Sequence, residues 1–149
     1  MSAMLDIQEG DIESVAWDMY ARARVPCQEA MAERFKAIAV NNFGFSGEDR
    51  PAAWPILSKG YADEFHDGNR IPKLILSGEL QESITVSSEP DAAIVHAQAE
   101  YAANHQFGDE STNLPARPFF PMFPDGSLTP YSFNAVMVAA QDAAESVLS

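Results

Sequence analysis

The residues best suited to chemistry in this sequence are three histidines, His66, His96 and His105, and a single cysteine, Cys27. A zinc site needs several such ligands converging on one point, and short spacings such as HxH or HExxH often provide them. The sequence has neither spacing, and it has no second cysteine to complete a site or a disulfide. We therefore predict that the protein holds no metal ion, and that its fold does not need an oxidising compartment.

A hydrolase is the enzyme class that the other polar residues could support, with Ser77, Ser83 and His105 as nucleophile and base. Serine hydrolases of the α/β class carry the nucleophile in a G-x-S-x-G turn, and the sequence lacks this turn. The acidic residues of positions 6–13 are typical of a solvated helix start, and no two carboxylates are placed together for glycoside hydrolysis. We predict a protein that is not an enzyme.

A structural interpretation of His105 fits its neighbours better. Tyr101–Phe107 is predicted to be a short helical turn that Gly108 ends. We expect His105 and Gln106 to form hydrogen bonds with loop backbone and Phe107 to fill the core.

A glycine stands between two apolar residues in the preceding segment: Gly78 lies two residues after Leu76 and two before Leu80. A glycine in such a place is typical of a turn or of close packing that needs an unusual backbone angle. We predict this structural role for Gly78 and not a contact with a partner.

One arginine, Arg117, lies in a proline-rich stretch, between Pro115 and Pro118. The prolines stiffen the loop, so the guanidinium is expected to meet a carboxylate or a carbonyl at a fixed place. Two interpretations stay open: a clamp on a carboxylate of the same chain, and a salt bridge across a subunit interface.

The same loop continues with four apolar side chains, Phe119, Phe120, Met122 and Phe123. A buried segment of this kind is core, whereas an exposed one marks a binding surface. We predict that part of it lies in an interface. Trp54, in an earlier loop, is expected to pin that loop to the body of the protein, and it belongs to the same predicted interface.

The composition is that of one folded domain that spans residues 1–149, with 46% apolar and 21% charged residues. A net charge of −13 argues against gripping nucleic acid or anionic membranes, because both need clustered Lys and Arg. It leaves open a channel through which DNA passes without sticking. No run approaches the roughly 18 apolar residues of a membrane span. The N-terminus lacks the features of a signal peptide, so we expect synthesis in a cytoplasm.

The elements that must position these residues begin with a long helix over the first forty-odd residues. Met31, Phe35 and Ile38 form an apolar stripe at helical spacing. Pro26 predicts a kink or a break, because proline removes a helix hydrogen bond and clashes with the preceding turn. Asn41-Asn42 is predicted to end the helix.

The rest of the chain predicts an α+β fold with a small antiparallel sheet and long loops. Residues 44–73 are predicted to be loop, and Leu74–Glu82 a short helix. Ser83–Ser88 and Ala92–Ala97 predict the two strands of a hairpin. Ser132–Leu148 predicts the last helix. Its predicted apolar face consists of Phe133, Val136, Met137, Ala140, Ala144, Val147 and Leu148.

Four local strings stand in order along residues 31–120. They are Trp54-Pro55-Ile56-Leu57-Ser58, Leu76-Ser77-Gly78-Glu79-Leu80-Gln81-Glu82-Ser83-Ile84, Tyr101-Ala102-Ala103-Asn104-His105-Gln106-Phe107-Gly108 and Leu114-Pro115-Ala116-Arg117-Pro118-Phe119-Phe120. Together they resemble the phage virion morphogenesis family, which includes the tail-completion proteins of Mu-like and related tailed phages. The first string has one extra residue before its leucine, and the loop after it lacks the basic stretch that is frequent in the family.

The resemblance implies a structural protein of the phage neck or tail top that completes or terminates the tail and joins it to the head. It implies a ring of copies, hexameric or alternatively dodecameric, in contact with other neck, connector or tail-tube proteins of the virion. It implies synthesis in the bacterial host and neither catalytic residues nor a cofactor. Two alternatives stay open: a prophage-derived, non-catalytic protein-binding module, and a small enzyme with a polar pocket around His105.

Overall fold

The computed structural model describes residues 9–65, 67–70 and 78–149. A long helix, α1 (Glu9–Asn41), is followed by two short ones, α2 (Lys59–Phe65) and α3 (Glu79–Glu82). The later elements are β1 (Ile84–Glu89), β2 (Ala92–Ala97), α4 (Ala102–Phe107), a 3₁₀ turn (Glu110–Thr112) and α5 (Pro130–Leu148). The predicted α+β class is confirmed, with its long first helix, antiparallel hairpin and C-terminal helix.

The first helix, α1, runs through Pro26 without a break, although the proline cannot donate a helix hydrogen bond. Packing supports the helix at this point, because the thiol of Cys27 donates to the carbonyl of Ala140 in α5 at 3.3 Å. Tertiary contact of this kind commonly outweighs local preference in a helix. α1 ends at Asn41, as its Asn-Asn sequence predicts.

The hairpin pairs β1 with β2 so that Ile84 lies opposite Ala97 and Glu89 opposite Ala92. An isolated two-stranded ribbon is marginally stable in water, so it needs a surface to pack on. Both strands pack against α1, with Ile84 fully buried and Val95 half-buried at the core. The predicted strands are confirmed to within one residue.

The last helix, α5, starts with Thr129, whose hydroxyl oxygen accepts from the backbone N–H of Ser132 at 3.3 Å, and with Pro130 at the first helical position. Both residues favour a helix start, because the cap satisfies a free N–H and proline has none to lose. α5 packs along α1, and its first turns lie near the C-terminal end of α1 while Ala140 lies beside Cys27. The two long helices are therefore antiparallel.

The apolar face predicted for α5 is wrong in part. Phe133 and Met137 are exposed, whereas Val136 is buried. Ala140 and Ala144 are half-buried on the inner side of the helix. Small side chains let two helices approach closely, so the large side chains of α5 are left on the outside.

The core lies where α1, the hairpin and two long loops meet. Its buried members are Ala39, Phe43, Trp54, Leu80, Ile84, Ala102 and Phe119. Three of these, Phe43, Trp54 and Phe119, come from loops. The loops are therefore part of the core and must keep one conformation for the core to stay closed.

Two stretches differ from the sequence prediction. α2 lies where the sequence predicts a loop, and an i,i+4 ion pair between Lys59 and Asp63 at 2.6 Å supports it. Of the predicted helix Leu74–Glu82, the part before Gly78 lies outside the described residues. Gly78 has a φ of 79°, the left-handed region that glycine adopts most readily, and Leu80, just after it in α3, is buried.

A carboxylate ties the two long helices together. Glu48, in the loop after α1, accepts from Arg34 at 2.5 Å and from Asn41 at 2.8 Å, both in α1. It also accepts from the hydroxyl of Tyr131 in α5 at 3.0 Å. Burial alone would raise the pKa of Glu48, but the hydrogen bonds from these three residues and the charge of Arg34 lower it below the ordinary value for a glutamate.

We predict that Glu48→Gln destabilises the protein at pH 7 but not at low pH. Because the pKa of Glu48 is lower in the folded chain than in the unfolded chain, its contribution is present above about pH 4.3 and is lost as the pH falls through the folded value. The loss at pH 7 should be about 1 kcal/mol, since the clamp is partly solvated. Urea unfolding at pH 7 and pH 3 measures it, with the exposed Glu33→Gln as control. An equal loss at both pH values would contradict the prediction.

Candidate protein interface

A buried asparagine joins the end of α1 to both long loops. The side-chain amide of Asn42, which is fully buried, donates to the carbonyls of Asp49 and Phe119, each at 2.9 Å. Its oxygen accepts from the backbone N–H groups of Glu48 at 3.0 Å and Asp49 at 2.8 Å. These four bonds fill the donor and acceptor capacity of the side chain. The arrangement fixes both loops relative to the helix.

An arginine closes the same end of α1. The guanidinium of Arg50 donates to the backbone carbonyl of Asn42 at 2.9 and 2.7 Å and to that of Gly44 at 2.6 Å. Helix C-termini leave carbonyls without partners and favour positive charge, so the arginine satisfies both needs. The same guanidinium lies 3.7 Å from the ring centroid of Trp54. Burial lowers the pKa of Arg50, which still leaves it charged at neutral pH.

The tryptophan is pinned between the loops. The indole N–H of Trp54 donates to the carbonyl of Pro118 at 2.8 Å. Its ring packs edge-on against Phe43 at 6.3 Å, and Phe43 in turn contacts Phe119 at 5.3 Å. A buried indole with its N–H satisfied is a strong apolar anchor. Trp54 therefore holds its loop to the body of the protein, as expected from the sequence. Its ring is buried in doing so, so little of it is accessible to a partner.

Arg117 binds the backbone of the loop that carries Trp54, just after the tryptophan. It donates to the carbonyl of Pro55 at 3.0 Å and to that of Ile56 at 3.1 Å. The clamp on a carboxylate of the same chain is therefore wrong, and the clamp is on carbonyls. Burial lowers the pKa of Arg117, and the side chain is only 5% exposed. The salt bridge across a subunit interface stays a prediction. To form it, the guanidinium of Arg117 would have to give up its hydrogen bonds to the carbonyls of Pro55 and Ile56.

Gln106 in α4 holds the phenylalanine loop. Its side-chain oxygen accepts from the backbone N–H groups of Phe119 at 3.0 Å and Phe120 at 2.9 Å, and its amide donates to the carbonyl of Phe120 at 3.3 Å. The expectation that it bonds loop backbone agrees with this geometry. The prediction that Phe107 fills the core is wrong, because this side chain is 56% exposed. One turn earlier, Ala102 occupies the buried position of the helix.

Gly108 ends α4 in a conformation that other residues rarely adopt. Its φ is 77°, and a Cβ there would lie 2.9 Å from the backbone oxygen of Leu114 and 2.9 Å from the backbone nitrogen of Ala116. The turn after the helix thus brings the chain back against itself, and the N–H of Arg117 donates to the carbonyl of His105 at 2.8 Å. Glycine is the residue that this close approach requires.

His105 does not form the centre of a reactive site in the described part of the chain. Its side chain packs edge-on against Tyr101, with ring centroids 5.6 Å apart, and its Nδ1 is buried without a hydrogen-bond partner. Burial, and then the charge of Arg117, lower the pKa of His105, so the imidazole is neutral at pH 7. It lines an open cavity of about 610 Å³ together with Tyr61 and Arg117. No group of three metal-ligating side chains occurs in the ranges that the structure describes.

The predicted interface residues therefore separate into two groups. Trp54, Arg117 and Phe119 are buried and bonded within the chain, and together with Asn42, Arg50 and Gln106 they form what we call the loop junction. Met122 is half-buried and Phe123 is exposed, beside a turn that Gly126 allows with a φ of 88°. Phe120 is half-buried against Phe35 of α1, with ring centroids 5.3 Å apart. An interface role for this segment stays a prediction, with Phe123 as its most accessible residue.

Other large apolar side chains are also exposed. On α5 they are Tyr131, Phe133, Met137 and Val138, and on α1 they are Val15, Trp17, Met19 and Tyr20. Others lie in loops or on short elements: Phe45, Ile56, Tyr61, Ile94 and Phe107. Helical spacing predicts an inner face for such residues, so exposure could not be read from periodicity alone. Singly exposed apolar side chains are normal on a protein surface, so only those that adjoin one another on one face indicate a binding surface.

The comparison with known proteins identifies one family. A model described as the phage virion morphogenesis family matches residues 14–128. That range contains most of α1, the loop junction and the hairpin, and ends before α5. No curated protein and no solved structure matches the chain. Among the described residues, no helix has the length and apolar character needed to cross a membrane.

We predict that Asn42→Ala destabilises the protein by roughly 2–4 kcal/mol, because two half-buried N–H groups, one half-buried carbonyl and the buried carbonyl of Phe119 lose their partners. Urea unfolding measures the change in the free energy of unfolding. Asn41→Ala is the matched control, since Asn41 is exposed and its bond to Glu48 is near solvent, and it should cost less than about 1 kcal/mol. Equal losses from the two variants would show that the buried amide is not the central contact.

Proposed function

The chain belongs to the phage virion morphogenesis family, and on that premise we propose that it is a structural protein of the phage neck or tail top. It would complete or terminate the tail and join it to the head as a ring of copies. Family membership itself gives the chain a role in virion morphogenesis. The observation that carries the finer proposal is the family match over residues 14–128, which covers the whole loop junction.

The loop junction supports a role as a rigid building block. Its contacts are buried hydrogen bonds and ring contacts between segments far apart in the chain, such as Asn42 with Phe119 and Trp54 with Pro118. A ring that must bear the load of a particle needs subunits that keep one shape, and packed, fully bonded loops provide it. No cofactor and no catalytic group enters this role.

The outer face of α5 is the surface that we assign to contacts between copies in the ring. Phe133 and Met137 lie one turn apart and are exposed, and Tyr131 and Val138 are exposed on the same helix. Each copy carries a net charge of −13, so copies repel one another at long range. An apolar contact offsets this repulsion, because burying apolar area is favourable whatever the net charge.

Contacts with other neck, connector or tail-tube proteins are assigned to the exposed loop residues at the rim of the loop junction. Ile56 and Phe123 are exposed there, next to the buried Trp54 and Phe119. A side chain that is exposed on a rigid loop can bind with little loss of conformational freedom. The acidic character of the chain suits a ring through which DNA passes without being held.

We predict that deletion of the gene from its parent phage leaves heads and tails unjoined. Electron microscopy of the lysate should show full heads without tails, together with free tails. Tails of normal length would indicate a joining role, whereas abnormally long tails would indicate a terminating role. Normal infectious particles would contradict the proposal and favour a prophage-derived protein-binding module.

The α5 surface is tested by complementation of that deletion. Phe133→Asp with Met137→Asp adds two charges to the proposed ring contact and should abolish plaque formation, although the chain still folds. The control Ala37→Asp with Ala103→Asp adds the same charges at exposed positions of α1 and α4 that belong to neither assigned surface, and it should restore plaques. Circular dichroism of both purified variants checks folding. Plaques from the α5 variant would remove this face from the proposal.

A further inference from the structure

The N-terminal half of α1 has a surface that no other described part of the chain covers. All residues of Glu13–Arg22 are exposed, and Trp17, with 63% of its surface accessible, is more exposed than Val15, Met19 and Tyr20. Exposed tryptophan is uncommon and is enriched at the centres of protein interfaces. A helical segment of this length is also marginal by itself in water, so a partner would stabilise it.

One face of this segment carries a regular series. Glu13, Trp17, Tyr20 and Arg24 are spaced i, i+4, i+7 and i+11, which places them along one side of the helix. Trp17 and Tyr20 pack edge-on at 5.9 Å, and the guanidinium of Arg24 lies 5.9 Å from the ring of Tyr20. The face therefore has an acid at its start, two aromatic rings in the middle and a base at its end.

This order is complementary to itself when two copies run antiparallel. The register that brings Glu13 of one copy to Arg24 of the other also brings Trp17 to Tyr20. The charge pairs and the aromatic pairs therefore follow from a single register.

We propose that two copies of this chain associate through an antiparallel, two-fold contact between their α1 segments, with Glu13 bound to Arg24 and Trp17 packed on Tyr20 across the axis. The occupant of this face is a second copy, because the segment itself supplies both the complementary charges and the aromatic partners. The proposal does not rest on the proposed role in the phage neck.

The other charges near this face are compatible with the pairing. Arg24 uses one nitrogen for Asp91, at 2.8 Å in the same chain, and a guanidinium has further N–H groups for a second carboxylate. Asp91 is almost fully exposed, so its pair with Arg24 is weak. Asp18 and Arg22 lie on the opposite side of the helix and pair with each other at 3.2 Å.

A two-fold contact and a ring contact build different assemblies. In it, the same patch is used by both copies, so it closes after two copies, whereas a ring needs two different patches on each copy. The α1 contact would therefore hold free chains as dimers or join two rings face to face. It is separate from the α5 face that we assign to the ring.

Sedimentation equilibrium of the full chain tests the proposal through charge reversal. The unchanged chain should form dimers, or assemblies built from dimers, at roughly 100 µM, a high concentration chosen because small contacts are typically weak. Glu13→Arg places two arginines together, and Arg24→Glu places two glutamates together. Each variant alone should dimerise at least about tenfold more weakly, because like charges are forced into contact twice.

Mixing the two variants is the decisive step. A pair with one Glu13→Arg chain and one Arg24→Glu chain has opposite charges at both contacts, so the mixture should recover dimers that neither variant forms alone. This recovery also excludes misfolding as the reason for the single losses. A mixture that stays monomeric, or a chain that is monomeric without any substitution, would overturn the proposal.

A matched pair of truncations checks the face. Trp17→Ala should weaken the dimer on the order of a hundredfold, because the symmetric contact loses the anchor twice and each loss is typically at least about tenfold. Met19→Ala removes an apolar side chain that is also exposed but lies on the opposite side of the helix, and it should leave the dimer unchanged. Equal effects from the two would overturn the register.

Discussion

The side-chain amide of Asn42 lies where water does not reach, so each of its donors and acceptors must find a partner in the chain. It finds them in backbone groups of residues 48, 49 and 119, and this requirement brings the end of α1 and two distant loops to one point. Arg50 can then cap the helix, and Phe119 is held where it contacts Phe43. Removing the amide would leave these groups buried and unpaired, which an apolar replacement cannot repair.

In this protein, two loops are buried in the core, and the helices expose large apolar side chains. Loops normally lie at the surface because their backbone groups need partners, and here side chains such as Gln106 and Arg117 supply those partners inside. The helices pack on each other with small residues and expose large ones, as α5 does with Phe133 and Met137. The exposed large apolar side chains thus lie mostly on helices, and the buried loops hold those helices in place.

The sequence predicts elements well where the pattern is local and fails where partners are distant. The hairpin and the ends of α1 and α4 follow from alternation, from Asn41-Asn42 and from Gly108, all of which act on their immediate neighbours. The buried role of Asn42 could not be predicted, because its partner Phe119 is far along the chain. The outward Phe133 was missed since periodicity defines a face without saying which side is buried. Arg117 was expected to meet a carboxylate or a carbonyl, and only the fold distinguishes the two.

The two tryptophans of the chain stand in opposite environments, Trp54 enclosed in the loop junction and Trp17 open to solvent on α1. Indole emission depends on the polarity around the ring, so the protein carries two optical reporters of separate events. Light from Trp54 follows the integrity of a single subunit, because its ring is released only when the loops part. The emission of Trp17 changes when another molecule binds to α1 and covers the ring. A spectroscopist could thus watch folding and association in one unlabelled sample, because replacing either tryptophan by phenylalanine leaves only the signal of the other.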